Sequence, residues 1–95
     1  MSLILTKEEL KRYSKKFLCG LYKMSHNDVN KSIKGIEIFF KYVYSGAYER
    51  PTFGFQATNE IIQELIQRNF IVLGDKKGEV KLTLSGIDKC KEECH

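Results

Sequence analysis

Apolar residues recur at helical intervals through much of the chain and in strict alternation near its end. Leu10, Tyr13, Phe17 and Leu21 fall three or four residues apart, with Leu18 alongside, and predict a first amphipathic helix whose other face carries Lys11, Arg12, Lys15 and Lys16. Thr6-Lys7-Glu8-Glu9 has the form of a capping box and starts that helix at Thr6, while Gly20 and the polar run Ser25-His26-Asn27-Asp28 end it near Lys23. Val29, Ile33, Ile36, Phe40 and Val43 continue the helical spacing and predict a second helix, capped by Ser25 or Asn27 with Asp28 near the positive end of its dipole. Ile36 to Tyr44 is rich enough in β-branched and aromatic residues to suit a strand, but the sustained spacing favours helix. Ile38, Phe39, Tyr42 and Tyr44 lie off the main stripe, so this helix is expected to be deeply buried or to share a face with another chain, as in a homodimer.

Two glycines and the only proline then break the pattern, and Ser45–Gln56 reads as a loop whose aromatics, Tyr48, Phe53 and Phe55, either close the core or form a recognition surface. A third helix is expected from Ala57 to Asn69. Thr58, Ile61, Ile62, Leu65 and Ile66 carry its buried side; Asn59, Gln63 and Gln67, with Glu60, Glu64 and Arg68, face outward, and Thr58 belongs to both sets. Asn69 suits the left-handed geometry that ends helices. Phe70-Ile71-Val72-Leu73 and Glu79–Leu84 alternate as strands around the glycine-bounded tip Gly74-Asp75-Lys76-Lys77-Gly78. Thr83 is placed to cap a last helix from Leu84 to about Glu93, with Ile87 packing inward.

A length of 95 residues, 42% of them hydrophobic and 29% charged, fits one compact domain over 1–95 with a single core. The net charge of +4 and pI near 9.0 are compatible with a polyanionic partner but do not require one. No apolar run approaches the roughly 18 residues needed to cross a bilayer, and Met1-Ser2-Leu3-Ile4-Leu5 is too short for a signal peptide, so no membrane association and a cytoplasmic location are expected. Cys19, Cys90 and Cys94 are an odd number, for which reduced thiols are the default.

Leu65-Ile66-Gln67-Arg68-Asn69-Phe70-Ile71 and Leu82-Thr83-Leu84-Ser85-Gly86 stand where winged helix-turn-helix DNA-binding domains carry the end of a recognition helix and a Leu-Thr-x-x-Gly segment after a basic hairpin. The chain resembles that superfamily over about Ala57 to Cys90. The resemblance implies an α+β, mostly α fold: three helices, a two-stranded β-hairpin wing and a short C-terminal helix. It also implies a small transcriptional regulator that binds double-stranded DNA. The N-terminal part of the third helix would present Thr58, Asn59 and Gln63 to base edges in the major groove, with Gln67 and Arg68 further along, and Lys76, Lys77 and Lys81 would reach the backbone from the wing. Two features depart from the pattern: the long connection containing Pro51 ahead of the third helix, and Glu60 and Glu64 on a face that would meet phosphates.

Other chemistry is thinner. Cys90-x-x-x-Cys94-His95 lacks the partners of a zinc site, so no metal or other cofactor is expected and the C-terminus reads as frayed and reduced. There is no phosphate loop, nucleophile elbow or His-Glu-x-x-His helix, so no catalytic residues are assigned and the chain is not read as an enzyme. The alternatives to DNA binding are protein docking through Tyr42, Phe53 and Phe55, and RNA binding through the basic first helix.

Overall fold

A computed structural model of the protein describes residues 4–94, without the side chains of Ala47 and Tyr48; Met1-Ser2-Leu3 and His95, which ends the Cys-x-x-x-Cys-His run, lie outside the described residues. Helix α1 (Lys7–Met24) opens on the expected capping box, in which Thr6 Oγ1 accepts the Glu9 N–H at 3.1 Å and the Glu9 carboxylate accepts the Thr6 N–H at 3.0 Å. Each of these bonds satisfies a backbone donor that the helix start would otherwise leave unpaired. Phe17, Leu18 and Leu21 are its buried stripe.

The expected second helix begins later than the apolar spacing implies. His26 and Asn27 take left-handed φ values of 54° and 65° just past the end of α1, and the Asp28 carboxylate accepts the Asn30 N–H at 2.8 Å. The polar segment therefore terminates one helix instead of capping the next. Val29 packs on the core from a turn and Ile33 from a short strand, β1 (Ile33–Lys34). Helix α2 covers only Gly35–Ile38 and widens into a π turn over Phe39–Val43, where the Tyr44 N–H reaches the Phe39 carbonyl at 2.9 Å. The wider turn brings Ile38, Phe39 and Val43 to the core side. Ile38 and Phe39, expected off the stripe, are fully buried, whereas Ile36 and Phe40 are only partly so.

The expected loop is also largely helical. Ser45–Glu49 forms a 3₁₀ turn, and α3 (Pro51–Gln67) starts at Pro51 instead of Ala57. Proline at the first helical position has its φ already set and lacks an N–H that would have no partner there, so the residue read as a breaker is a start signal. Phe53, in the first turn, lies edge-on to Phe39 and Tyr44 at ring-centroid distances of 6.4 and 5.9 Å, and Tyr13 of α1 meets Phe39 at 6.4 Å. Phe53 thus joins the core, as one of the two readings of the aromatic segment expected, while Phe55 is exposed; Tyr48's side chain lies outside the described residues.

Strands β2 (Ile71–Leu73) and β3 (Glu79–Leu82) form the expected antiparallel hairpin, with Ile71 opposite Leu82. β1 pairs with the other edge of β3, Ile33 opposite Val80, giving the strand order β1-β3-β2. A two-stranded hairpin was expected; the third strand comes from the stretch read as helix. Among the described residues, helix α4 (Leu84–Glu93) completes an α+β, mostly helical architecture of four α-helices and one small antiparallel sheet. Phe17, Leu21, Ile38, Phe39, Ala57, Ile61, Ile71, Val80, Leu82 and Cys90 meet in one core.

The junction of α3, the hairpin and α4 is held by Asn69, Thr83 and Gly86. Asn69 is left-handed at φ 65°, and Thr83 Oγ1 both donates to the Asn69 carbonyl at 2.6 Å and accepts the Gly86 N–H at 2.9 Å. Gly86 is buried so close to the Phe70 carbonyl that a Cβ there would collide with backbone. The absence of a side chain lets α4 dock.

The cysteines depart from the reduced expectation. Cys19 of α1 and Cys94 are joined in a disulfide with Cα atoms 5.6 Å apart. Cys90 Sγ lies 3.7 Å from the Leu18 carbonyl, so one turn further along α4 its i+4 neighbour falls beside the next residue of α1. The C-terminal end of α4 is therefore tied down, not frayed. In the chain-entropy model a loop of 75 residues makes this cross-link worth roughly 4–5 kcal/mol.

Two predictions follow from this packing. Gly86→Ala lowers stability by about 2 kcal/mol or more through backbone overlap, whereas Ser85→Ala at the exposed neighbour changes it by about 0.5 kcal/mol or less, as read by urea unfolding. Burial, reinforced by the Glu93 charge, pushes the Cys90 thiol from 9.0 up to about 11. The fold thus favours the protonated thiol, and its contribution is complete below pH 9.0 and lost as pH rises through about 11. Thermal midpoints of wild type and Cys90→Ala therefore converge over that window, and a difference independent of pH contradicts the assignment.

Candidate nucleic-acid interface

Starting α3 at Pro51 lengthens its solvent face. Thr52, Phe55, Gln56, Asn59, Gln63 and Gln67 are exposed at intervals of three and four and form one line along the helix. The line bears no charge, carries amide and hydroxyl groups, and includes one apolar ring, Phe55, at 56% exposure.

Both carboxylates that would compromise such a face are engaged elsewhere. Glu60 accepts the Ile4 N–H at 2.9 Å and the Leu5 N–H at 3.2 Å, which fastens the chain preceding α1 to the side of α3. Glu64 accepts Arg68 Nε at 3.1 Å. Charge-assisted bonds of this kind hold a carboxylate more firmly than neutral ones.

The sequence-derived site residues divide accordingly. Asn59, Gln63 and Gln67 lie together on the outward line. Thr58 does not: it is 4% exposed and its hydroxyl donates to the Gly54 carbonyl at 2.7 Å, so it belongs to the helix interior. Arg68 is tied back to Glu64, and Lys81 is paired with Asp75 at 2.7 Å. Lys76 and Lys77 are exposed at the hairpin tip.

That tip is anchored to the chain ahead of α2. Ser32 Oγ accepts the Asp75 N–H at 3.0 Å and donates to the Glu79 carboxylate at 2.7 Å, and the Gly35 N–H donates to the Gly78 carbonyl at 2.9 Å. Gly78 has φ 84°, a conformation that favours glycine. The anchoring sets Lys77 and Lys34 along one groove of about 180 Å³ whose other side is Phe55 and Asn59 of α3. An uncharged polar helix face and two ammonium groups, those of Lys34 and Lys77, are thus adjacent.

Lys34, Thr52, Phe55 and Gln56 were not among the residues singled out for this interface. Proline as a helix-start signal would have found the three on α3; Lys34 depends on β1, whose pairing partner lies far along the sequence. Of the residues expected to dock a protein, Tyr42 is half-buried between Lys23 and Lys41, whose ammonium groups lie 5.9 and 5.5 Å from its ring, and Phe53 is partly buried against the core. Only Phe55 of the three is freely presented. Lys11, Arg12, Lys15 and Lys16 are exposed on α1. Among the described residues no group of three or more His, Cys, Asp or Glu side chains could hold a metal ion, and no helix is long and apolar enough to cross a membrane. No family model, curated protein or solved structure matches the chain.

Proposed function

We propose that the chain is a winged-helix protein that binds duplex DNA, with α3 in the major groove and the hairpin tip on the phosphate backbone, in the manner of a small transcriptional regulator. The observation that carries the reading is the uncharged, hydrogen-bonding line Gln56, Asn59, Gln63 and Gln67, with Lys34 and Lys77 across a groove from Asn59 and Lys76 exposed at the same hairpin tip. Asn and Gln amides can bond an adenine edge bidentately, and an exposed Phe beside them can pack on a thymine methyl. The lysines on the rim neutralise phosphates without reading sequence. The order of helices, hairpin and C-terminal helix supports the winged-helix assignment.

Protein docking is the second reading. It is favoured by Leu73 and Leu84, exposed at 69% and 74%, the former on the free edge strand β2.

The test is selection from randomised duplexes followed by anisotropy titrations at several salt concentrations. Lys76→Ala with Lys77→Ala is expected to weaken binding similarly for all sequences and to lower the salt slope by about 2. Asn59→Ala or Gln63→Ala is expected to cost about 1–3 kcal/mol at one base position and leave the slope unchanged. Absence of salt-dependent binding to any duplex at micromolar protein refutes the proposal and favours docking, which Leu73→Asp would then abolish.

A further inference from the structure

On a different side of the molecule a cavity of about 380 Å³ opens between α1, the last turn of α3 and α4. Ser14 lies in its wall. The residue is 6% exposed, and its hydroxyl has no hydrogen-bond partner. Leaving a buried hydroxyl unpaired costs about 1–3 kcal/mol, so the group stands ready for a partner that the chain itself does not supply.

The rest of the lining specifies what that partner is. Leu18 and Leu65 are buried and Phe70 half-buried, so the wall beside Ser14 is apolar. At the rim, Lys11, Lys15, Arg68 and Lys89 outnumber Glu64 and Glu93 by two. Both carboxylates are already matched, Glu64 with Arg68 at 3.1 Å and Glu93 with Lys89 at 2.9 Å. Lys11 and Lys15 form no ion pair among the described residues, and their charges, after the hydrogen bond and charge of Lys89, help hold the Glu93 carboxyl below its usual range. Lys11, Ser14, Lys15 and Leu18 share one face of α1, so two ammonium groups, a hydroxyl and an apolar surface converge.

We propose that this cavity binds a small amphipathic anion, a carboxylate or phosphate monoester on an apolar body, with its head between Lys11 and Lys15, its body on Leu18, Leu65 and Phe70, and a polar atom within reach of Ser14. The volume lies at the lower end of small-molecule sites and suits a compact ligand. The assignment is independent of DNA binding.

Three probes test it: benzoate, octanoate and phenyl phosphate, titrated into the full chain at low salt and followed by amide chemical shifts. Inorganic phosphate serves as the control without an apolar body and benzyl alcohol as the control without charge. At least one probe is expected to bind with Kd below about 1 mM, shifting amides of α1 and α4 around the cavity, while both controls bind at least tenfold more weakly. Binding by the carboxylates alone assigns a carboxylate head, and binding by phenyl phosphate alone assigns a phosphate monoester. Lys11→Gln with Lys15→Gln, on an exposed face and so folded, is expected to weaken the best probe about fivefold or more. Ser14→Ala is expected to raise the thermal midpoint of the unliganded protein, because it removes an unpaired hydroxyl, yet to weaken the same probe about threefold or more. A purely structural Ser14 would not give those opposite effects. Failure of all three probes, or unchanged affinity in both variants, overturns the proposal.

Discussion

The packing of Phe39 is the constraint on which the arrangement of the surface depends. Its ring is fully buried and meets Tyr13 of α1, Tyr44 beyond the π turn and Phe53 in the first turn of α3, all edge-to-face. Those contacts hold the chain between α2 and α3 against the core and set where α3 starts. Truncating a buried phenylalanine typically costs about 3–5 kcal/mol, against about 1 kcal/mol for a helix cap, so this cluster outweighs the local signals around it. The π turn follows from the same demand: one wider turn lets Ile38, Phe39 and Val43 point inward together, at the expense of the regular helical ladder.

Once α3 is fixed, its surface depends on where two carboxylates go. A glutamate facing phosphate would oppose any polyanion, and screening by salt weakens but does not remove that repulsion. Glu60 is turned aside by two backbone N–H groups at the start of the described chain, and Glu64 by Arg68. The price is that Arg68 contributes little free positive charge, which leaves the cationic rim of the α3 groove to Lys34 and Lys77. The rim in turn relies on Ser32, whose hydroxyl bridges the two sides of the hairpin neck.

Features set by neighbours in sequence are legible in the sequence, and those set by distant contacts are not. The Thr6 capping box, the left-handed Asn69, the Thr83 cap and the hairpin each rest on residues a few positions apart. From Val29 to Tyr44 the spacing picked out residues that pack on the core but identified neither the element nor its most buried side chains, Ile38 and Phe39, because a turn, a strand and a π turn present apolar residues at nearly helical intervals. Pro51 is ambiguous by nature, since the same ring that ends one helix begins another. Glu60 could not be cleared from the outward face by sequence, because its partners lie 55 and 56 residues away. The Cys19–Cys94 bond was invisible for the same reason, with 75 residues between its ends.

The two proposed anion-facing surfaces share α3 but no side chain. At 3.6 residues per turn, Glu64 and Arg68 stand about 100–140° around the helix from Gln63, so the cavity opens on a different side from the amide line. A ligand held by Lys11 and Lys15 therefore does not obstruct a duplex lying against Asn59 and Gln63. Influence of one surface on the other would require a shift of α3 as a body, and Glu60, Phe53 and the Asn69–Thr83 junction all resist such a shift. Independent occupancy of the two sites is the arrangement that this packing favours.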